Sequence, residues 1–368
     1  MRRLLDTLLV FVVTAGMLFS TTATEAQADG DYLELHYAEC FSIEWLADGA
    51  ALLVAGNEEY LALPADTQIP PGLELLPRIT IPAKNIYLAS SSAADLFLQA
   101  GALSAVRFSG TSAENWLIPE LRESLETEQI FYAGKYSAPD FELLLTEGCD
   151  LAVENTMILH SPETREKLEE LGVPVLVEYS SYEPHPLGRV EWVKLYGLLT
   201  GRLDEAEAFF TAQEELFRTA AASKPTGKTV AFFHLTPAGA VVVRRQADYV
   251  TRMIEFAGGQ PAVTDLHEEE NALSTVSIQM ESFYAQAYDA DILIYNSTVA
   301  GDVETMEQFL ALNPLLKNFK AVREDHVWCT EMSMFQRSSA AAGMIADLRA
   351  VISDTEDENL HYLHRVKD

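Results

Sequence analysis

The feature that most limits how this chain folds is an alternation of short apolar runs with helical stretches, which stops for about 35 residues and then resumes. The first series of apolar runs is Ile86-Tyr87-Leu88-Ala89, 105–108, Ile130-Phe131-Tyr132, Asp150-Leu151-Ala152-Val153 and Val173-Pro174-Val175-Leu176-Val177. Between them, Ser90-Ser91-Ser92 supplies capping hydroxyls for a helix over 93–99, which Gly101 closes. Residues 116–125 read as helical, Asp140 starts another helix toward Gly148, and Ser161-Pro162-Glu163 opens a fourth. Short strands separated by helices imply a parallel sheet covered on both faces. Over 188–222 no strand-like run occurs. Val190, Val193, Leu195, Leu198 and Leu199, then Ala206, Phe209, Phe210, Leu216 and Phe217, recur at helical spacing instead. Lys224-Pro225-Thr226-Gly227 ends that stretch. Strands over 229–235 and 240–243, a helix over 249–256 and Gly258-Gly259 then resume the alternation. Asp291-Ile292-Leu293-Ile294-Tyr295, His326-Val327-Trp328 and a helix over 338–351 complete it.

The expected fold is therefore α/β: two doubly wound, Rossmann-like lobes joined by a single long α-helix. The boundaries fall at 29–187 for the N-terminal lobe, 188–223 for the connecting helix and 224–368 for the C-terminal lobe. A chain of 368 residues suits two lobes of roughly 150 residues each. A small β-meander precedes the first lobe. Phe41, Ile43 and Trp45 alternate with polar residues, Asp48-Gly49 turns, 51–54 returns, and Gly56-Asn57 turns again before Tyr60-Leu61-Ala62-Leu63.

Residues 1–28 read as a removable export signal. Met1-Arg2-Arg3 is basic, 8–19 is apolar apart from Thr14 and Gly16, and Ala26-Gln27-Ala28 offers small residues for cleavage. Asp6 is the one discordant residue. That apolar run is short for a membrane span, and no later stretch approaches the ~20 apolar residues that a span needs. The formal charge is −31, which repels phosphate backbones and makes nucleic acid a poor partner. Cys40, Cys149 and Cys329 are too few and too scattered for a disulfide framework or a zinc knuckle, and read as small buried side chains. No cysteine stands in 20–28, so a lipid anchor is not expected.

Several further runs, in order along the chain, carry a resemblance. They are Leu168-Glu169-Glu170-Leu171-Gly172-Val173-Pro174-Val175, Gly197-Leu198-Leu199-Thr200-Gly201-Arg202 with Glu205-Ala206-Glu207 and Phe209-Phe210, and Ala257-Gly258-Gly259. Leu316-Lys317-Asn318-Phe319-Lys320-Ala321-Val322 leads into His326-Val327-Trp328. His185-Pro186-Leu187-Gly188-Arg189 before Glu191-Trp192, and Ile294-Tyr295-Asn296-Ser297, are narrower matches. Together they resemble the helical-backbone (class III) solute-binding proteins of ABC importers for iron-siderophores, haem and cobalamin, over most of 80–350. The resemblance implies an exported, monomeric receptor on the periplasmic or outer face of the cytoplasmic membrane. It is expected to have no catalytic role and no intrinsic cofactor, and to deliver a bulky chelate to a permease and its ATPase. It also implies one acidic permease contact per lobe. Glu142 fits the N-lobe position; in the C-lobe the usual glutamate aligns with Gln279, and Glu281 stands two residues on.

Open α/β sheets bind ligands in the crevice beyond the carboxyl ends of their strands. The loops there offer Ser91, Lys135, Tyr136, Tyr179, Tyr182, Arg189, Arg244, Arg245, Asn296 and Arg337 as ligand-binding candidates. Guanidinium forks suit carboxylate, catecholate and phenolate oxygens and stack on flat ligands, which leans toward a ferric siderophore among these ligands. The tyrosines can stack on a macrocycle, and Tyr136 can offer a phenolate to haem iron. Arg189 can equally pair within the hinge with Glu183 or Glu191. His185 reads as structural, and Met332 and Met334 as core residues or soft haem ligands. A zinc or manganese receptor needs convergent histidines, whereas the eight here are scattered and His267-Glu268-Glu269-Glu270 reads as a solvated charge run. A secreted hydrolase is the alternative of another class, with no Gly-x-Ser-x-Gly elbow to support it. Gly227-Lys228-Thr229 mimics a P-loop end, but Ala222 stands where glycine belongs and the run enters a strand.

Overall fold

The structure, a computed structural model, describes residues 30–221, 224–266, 275–355 and 360–367. The expected export signal, the charged run at 267–270 and part of the acidic stretch 354–358 lie outside the described residues. Five strands form the leading sheet: β1 (Asp31–Tyr32), β2 (Phe41–Trp45), β3 (Ala51–Ala55), β4 (Glu58–Pro64) and β5 (Arg78–Ile81). The first four pair antiparallel in sequence order and β5 adds in parallel to β4. The inward positions Phe41, Ile43, Ala51, Leu53 and Ala55 are buried, as the alternation requires.

The N-terminal half carries β6 (Ile86–Leu88), α1 (Ser91–Gln99), β7 (Val106–Ser109), α2 (Pro119–Glu126), β8 (Phe131–Tyr132), α3 (Phe141–Thr146), β9 (Leu151–Asn155), α4 (Pro162–Glu170) and β10 (Val175–Glu178). Its sheet runs β10-β9-β6-β7-β8 with every pairing parallel. Asp140 caps α3 by accepting from the Leu143 amide at 3.0 Å. These elements match the expected ones within one to three residues, because each apolar run is bounded by a capping or glycine signal.

The connecting segment differs from the single helix expected over 188–223. It is a helical hairpin of α5 (Pro186–Thr200) and α6 (Leu203–Ala220). Gly201 breaks it in the left-handed conformation, φ 69°. A Cβ on Gly197 would sit 2.6 Å from the Ala206 Cβ and 2.8 Å from the Arg202 carbonyl, so the glycine lets α6 fold back against α5. The return is antiparallel: Phe217 near the end of α6 meets His185 at the start of α5, ring centroids 5.4 Å apart.

The C-terminal half contains β11 (Thr229–Leu235), β12 (Val241–Arg244), α7 (Tyr249–Phe256), β13 (Gln260–Pro261), β14 (Thr275–Ile278), α8 (Met280–Ala287), β15 (Ile292–Tyr295), α9 (Ser297–Ala300), α10 (Met306–Leu312), α11 (Lys320–Arg323), β16 (Val327–Thr330), α12 (Ala341–Ile352) and β17 (Leu363–Arg365). Its sheet order is β14-β12-β11-β15-β16-β17, with β13 beside β11. Only β13, β15 and β16 continue the parallel pattern; β12, β14 and β17 pair antiparallel, so this sheet is mixed.

The two α/β sheets stay separate, but the halves are not independent bodies. The described residues from Asp31 onward hold together as one compact unit. One core runs from Phe41 and Leu53 of the meander through Leu96 and Phe97 of α1. It continues into Trp192 and Tyr196 of α5, then into Met253, Met344 and Leu348 of the C-terminal half. Every residue from Pro186 to Leu199 is buried. α5 is a strut packed from both sides. Each half keeps a smaller core on the opposite face of its sheet, around Phe108 and Leu168 in one and Phe233 and Phe309 in the other.

Candidate ligand-binding site

The site is built on the first turn of the strut. Pro186 occupies the first helical position, and His185 caps it by accepting from the Leu187 amide through Nδ1 at 3.1 Å. The imidazole is stacked on Tyr37 at 4.5 Å and lies 4.9 Å from Phe256. Burial pushes its pKa down to about 4. It is a structural residue.

Glu183 and Glu191 are not partners of Arg189. Glu191 accepts from the backbone amides of His36, Tyr37 and Ala38 and pairs with Lys194 at 2.8 Å. Glu183 accepts from the amides of Glu39 and Cys40 and from Trp192 Nε1. Arg189 instead crosses to the C-terminal half, where its guanidinium lies 4.0 Å over the Tyr249 ring.

Arg189, Tyr249, Met253, Met334, Phe335 and Arg337 line a narrow pocket of about 20 Å³. Arg244 joins them from the end of β12. It lies 4.7 Å from the Phe335 ring and 3.5 Å from Asp248, the residue that caps α7. Burial pushes the Asp248 carboxyl up, against the pull of Arg244 and Arg189. Arg189 and Arg244 are thus gathered around one carboxylate, and Arg337 stands with them at the apolar wall. The arrangement has more cationic than anionic charge, in a chain whose formal charge is −31.

The other candidates stand elsewhere. Arg245 is half-buried beside this group, and its carbonyl accepts from Thr251 Oγ1. Asn296 is buried and caps α9 by accepting from the Thr298 amide; its Nδ2 has no hydrogen-bond partner. Ser91 is exposed at the first position of α1, and Lys135 is exposed on the loop after β8. Tyr136 packs half-buried on the core of the N-terminal half. Tyr179 covers Gly56 of the meander, where a Cβ would lie 2.6 Å from its ring. Tyr182, 59% exposed, stands 6.0 Å from Tyr179 between ring centroids. None of these five N-terminal residues lines the pocket.

Sequence reasoning missed Tyr249, Phe335, Asp248 and the bridging residues between the halves. Gln336 follows the pocket wall; its Oε1 accepts from the Leu117 amide at 2.8 Å and its Nε2 donates to the Asn115 carbonyl at 2.9 Å. Ser338 Oγ donates to the Ser92 carbonyl at 2.7 Å. The buried carboxylate of Asp95 accepts from the Ser339 amide at 2.9 Å, just ahead of α12. The N-terminal half thereby holds the 338–340 turn that leads into α12. Glutamine and serine in a loop carry no sequence signal for such a role. Glu142 and Glu281 occupy equivalent places: each is exposed and is the second residue of its helix, α3 and α8.

A family model described as periplasmic binding protein matches residues 86–331. Over 228 residues the chain is 25% identical to an uncharacterized lipoprotein of Methanocaldococcus jannaschii, covering 60% of this chain and 52% of that protein. It therefore spans about half the length of that relative. A second uncharacterized lipoprotein of the same organism is 25% identical over 309 residues, 78% of this chain and 75% of the relative. The fold is similar to that of a periplasmic haem-binding protein of Vibrio cholerae, with a TM-score of 0.58 and 17% identity over 72% of this chain and 98% of the other. A periplasmic vitamin B12-binding protein of Vibrio cholerae gives a TM-score of 0.52 and 12% identity over 75% and 99%.

Proposed function

Because the chain belongs to the periplasmic binding protein family, we propose that it captures a bulky anionic metal chelate between its two halves and delivers it to an ABC permease. It is a solute-binding protein and not an enzyme, and proteins of this family work with ABC-transporter permeases. The role calls for no cofactor of its own, since the chelate is cargo.

The observation that carries the reading is the convergence of Arg189, Arg244 and Arg337 beside Tyr249 and Phe335. Guanidinium groups bind carboxylate and catecholate oxygens with directed, charge-assisted hydrogen bonds, and aromatic rings stack on flat ligands. A ferric siderophore satisfies both; haem, through its propionates, is the next best fit, followed by cobalamin. Two solved structures of similar fold, named for haem and vitamin B12, support that size class. In this reading the halves are the two lobes, α5 is the strut at the hinge, and Glu142 and Glu281 meet the permease. The receptor works as a monomer outside the cytoplasmic membrane.

The test is a visible spectrum of the protein purified from its native medium, followed by titration of stripped protein with ferric siderophores, haemin and cobalamin, read by tryptophan fluorescence. A Soret band identifies haem, a corrin band cobalamin and a broad charge-transfer band a ferric siderophore. We expect at least one chelate to saturate at roughly micromolar concentration or below, and Arg244→Ala with Arg337→Ala to weaken it by roughly 10²-fold or more. Equal affinity in that double variant, or no saturable chelate, overturns the reading.

A further inference from the structure

Away from the pocket, the C-terminal half brings together three side chains of the kind that bind transition metals. Cys329 of β16 and His364 of β17 are directly opposed in the antiparallel register, so their side chains rise from the same face of the sheet. That face carries Val303, Phe309 and Val366, and is opposite the one that packs on α12. Asp302, in the loop after α9, reaches the same point. Its Oδ1 lies 3.5 Å from Cys329 Sγ and 3.3 Å from His364 Nε2. One ligand atom from each residue falls within 4.8 Å of the others.

The two distances from Asp302 Oδ1 match those between neighbouring ligands of a bound metal. Four ligands at the usual zinc bond lengths stand roughly 3.3–3.8 Å from one another. The histidine is also oriented for the task. His364 Nδ1 lies 3.3 Å from Glu331 Oε1, leaving Nε2 directed at the cluster, where it also lies 3.3 Å from the Val303 carbonyl. A carboxylate on the far nitrogen is what fixes the ring of a metal-bound histidine. One thiol, one imidazole and one carboxylate form the donor set of zinc and its neighbours rather than of calcium or magnesium.

We propose that Cys329 Sγ, His364 Nε2 and an Asp302 carboxylate oxygen bind one divalent cation of the zinc class, with water completing a tetrahedron. The thiol proton leaves to solvent on binding. The partly exposed His364 and Asp302 give the ion its way in. The ion fastens the C-terminal strand, since β17 follows Tyr362, whose carbonyl accepts from the Glu331 amide at 3.0 Å. The same tail closes on the 304–306 segment through Lys367, which donates to the Glu304 carbonyl and accepts from the Met306 amide. Glu331 directly precedes the Met332–Phe335 turn.

The experiment uses the full chain, freed of metal by chelator dialysis and titrated with cobalt(II), then with zinc. We expect a one-to-one cobalt complex with a thiolate charge-transfer band that zinc displaces. Cys329→Ser should lose the band, His364→Gln should lose binding at least tenfold, and Glu331→Gln should weaken it by roughly tenfold. Unchanged circular dichroism in the serine variant keeps the result interpretable. A cobalt spectrum without a thiolate band, binding that survives Cys329→Ser, or no binding at millimolar cobalt each overturns the site. Chelate capture in the pocket is measured separately and is expected to be the same in Cys329→Ser, so either proposal can fail alone.

Discussion

The two halves share an architecture and differ in charge. In the N-terminal half the polar groups buried at the strand ends are acids and hydroxyls. Glu178 accepts from Ser90 Oγ at 3.0 Å and Ser92 Oγ at 2.8 Å, and Asp95 is spent on the Ser339 amide. In the C-terminal half, Arg244 and Arg337 converge with Arg189 of the strut. In the proposed reading an anionic ligand is held from the side of the C-terminal half and the strut.

The two acids proposed to meet the permease, Glu142 and Glu281, are the point at which the halves are expected to behave alike, and they carry the largest expected effect. Glu142→Arg should abolish uptake in a cellular transport assay while chelate affinity stays within about twofold. Glu281→Arg should do the same, because both carboxylates are exposed in the first turn of a helix. If only one reversal stops uptake, docking is one-sided and the equivalence of α3 and α8 is broken. Lost chelate affinity in either variant would move that glutamate from the docking face to the pocket.

Next in size is a contrast in stability. Glu154 of β9 is fully buried beside Tyr87, and neither of its carboxylate oxygens has a hydrogen-bond partner. Burial pushes its pKa up to about 8. Its folded pKa therefore lies above its unfolded value of 4.5, so the folded state binds the extra proton between the two. The cost to stability is absent below pH 4.5, grows as pH rises, and levels off above about pH 8. At pH 7 it amounts to about 3 kcal/mol. Glu154→Leu should raise the denaturation midpoint at pH 8 and have little effect at pH 4. A gain that does not change with pH would show that packing, not ionisation, is responsible. No comparable orphan carboxylate exists among the described residues of the C-terminal half.

Most strand and helix positions could be read from residues 86–178, since Asp140, Ser161-Pro162 and the glycines after each helix are local signals. Three things could not. The break in the connector was hidden because Leu203, Ala206 and Phe210 continue the helical spacing past Gly201, while the fold-back depends on the contact at Gly197. The mixed sheet was hidden because strand direction depends on turn geometry. β12 returns antiparallel through the 236–240 turn, where Gly239 has φ 83° and the Ala240 amide donates to Thr236 Oγ1. The Cys329, His364 and Asp302 cluster joins residues 27 and 35 positions apart, through a tail strand with no distinctive pattern. The arginines were legible for the opposite reason. Cations are scarce in this chain, 25 against 56 acids, so those placed at strand ends were conspicuous. Lys135 and Tyr136 met the same criterion but stand apart from the pocket, because the sequence shows which strand a loop follows and not how far it reaches.

The smallest expected effect bears on what joins the halves. Gln336 makes two hydrogen bonds to backbone groups of the other half, and it follows directly on Phe335 of the pocket wall. Against it stands α5, buried along fourteen of its fifteen residues in a core shared by both halves. Two neutral hydrogen bonds contribute about 1–3 kcal/mol at most, and less where water can replace them. The apolar strut buries many side chains worth about 1.5–3 kcal/mol each. Gln336→Ala should therefore cost about 1 kcal/mol in a denaturant titration and shift chelate affinity only a few-fold. A loss above about 3 kcal/mol would mean that polar bridging, and not the strut, holds the halves in register. In that case the halves would part by releasing the 336–339 segment, with α5 following that segment instead of setting its position.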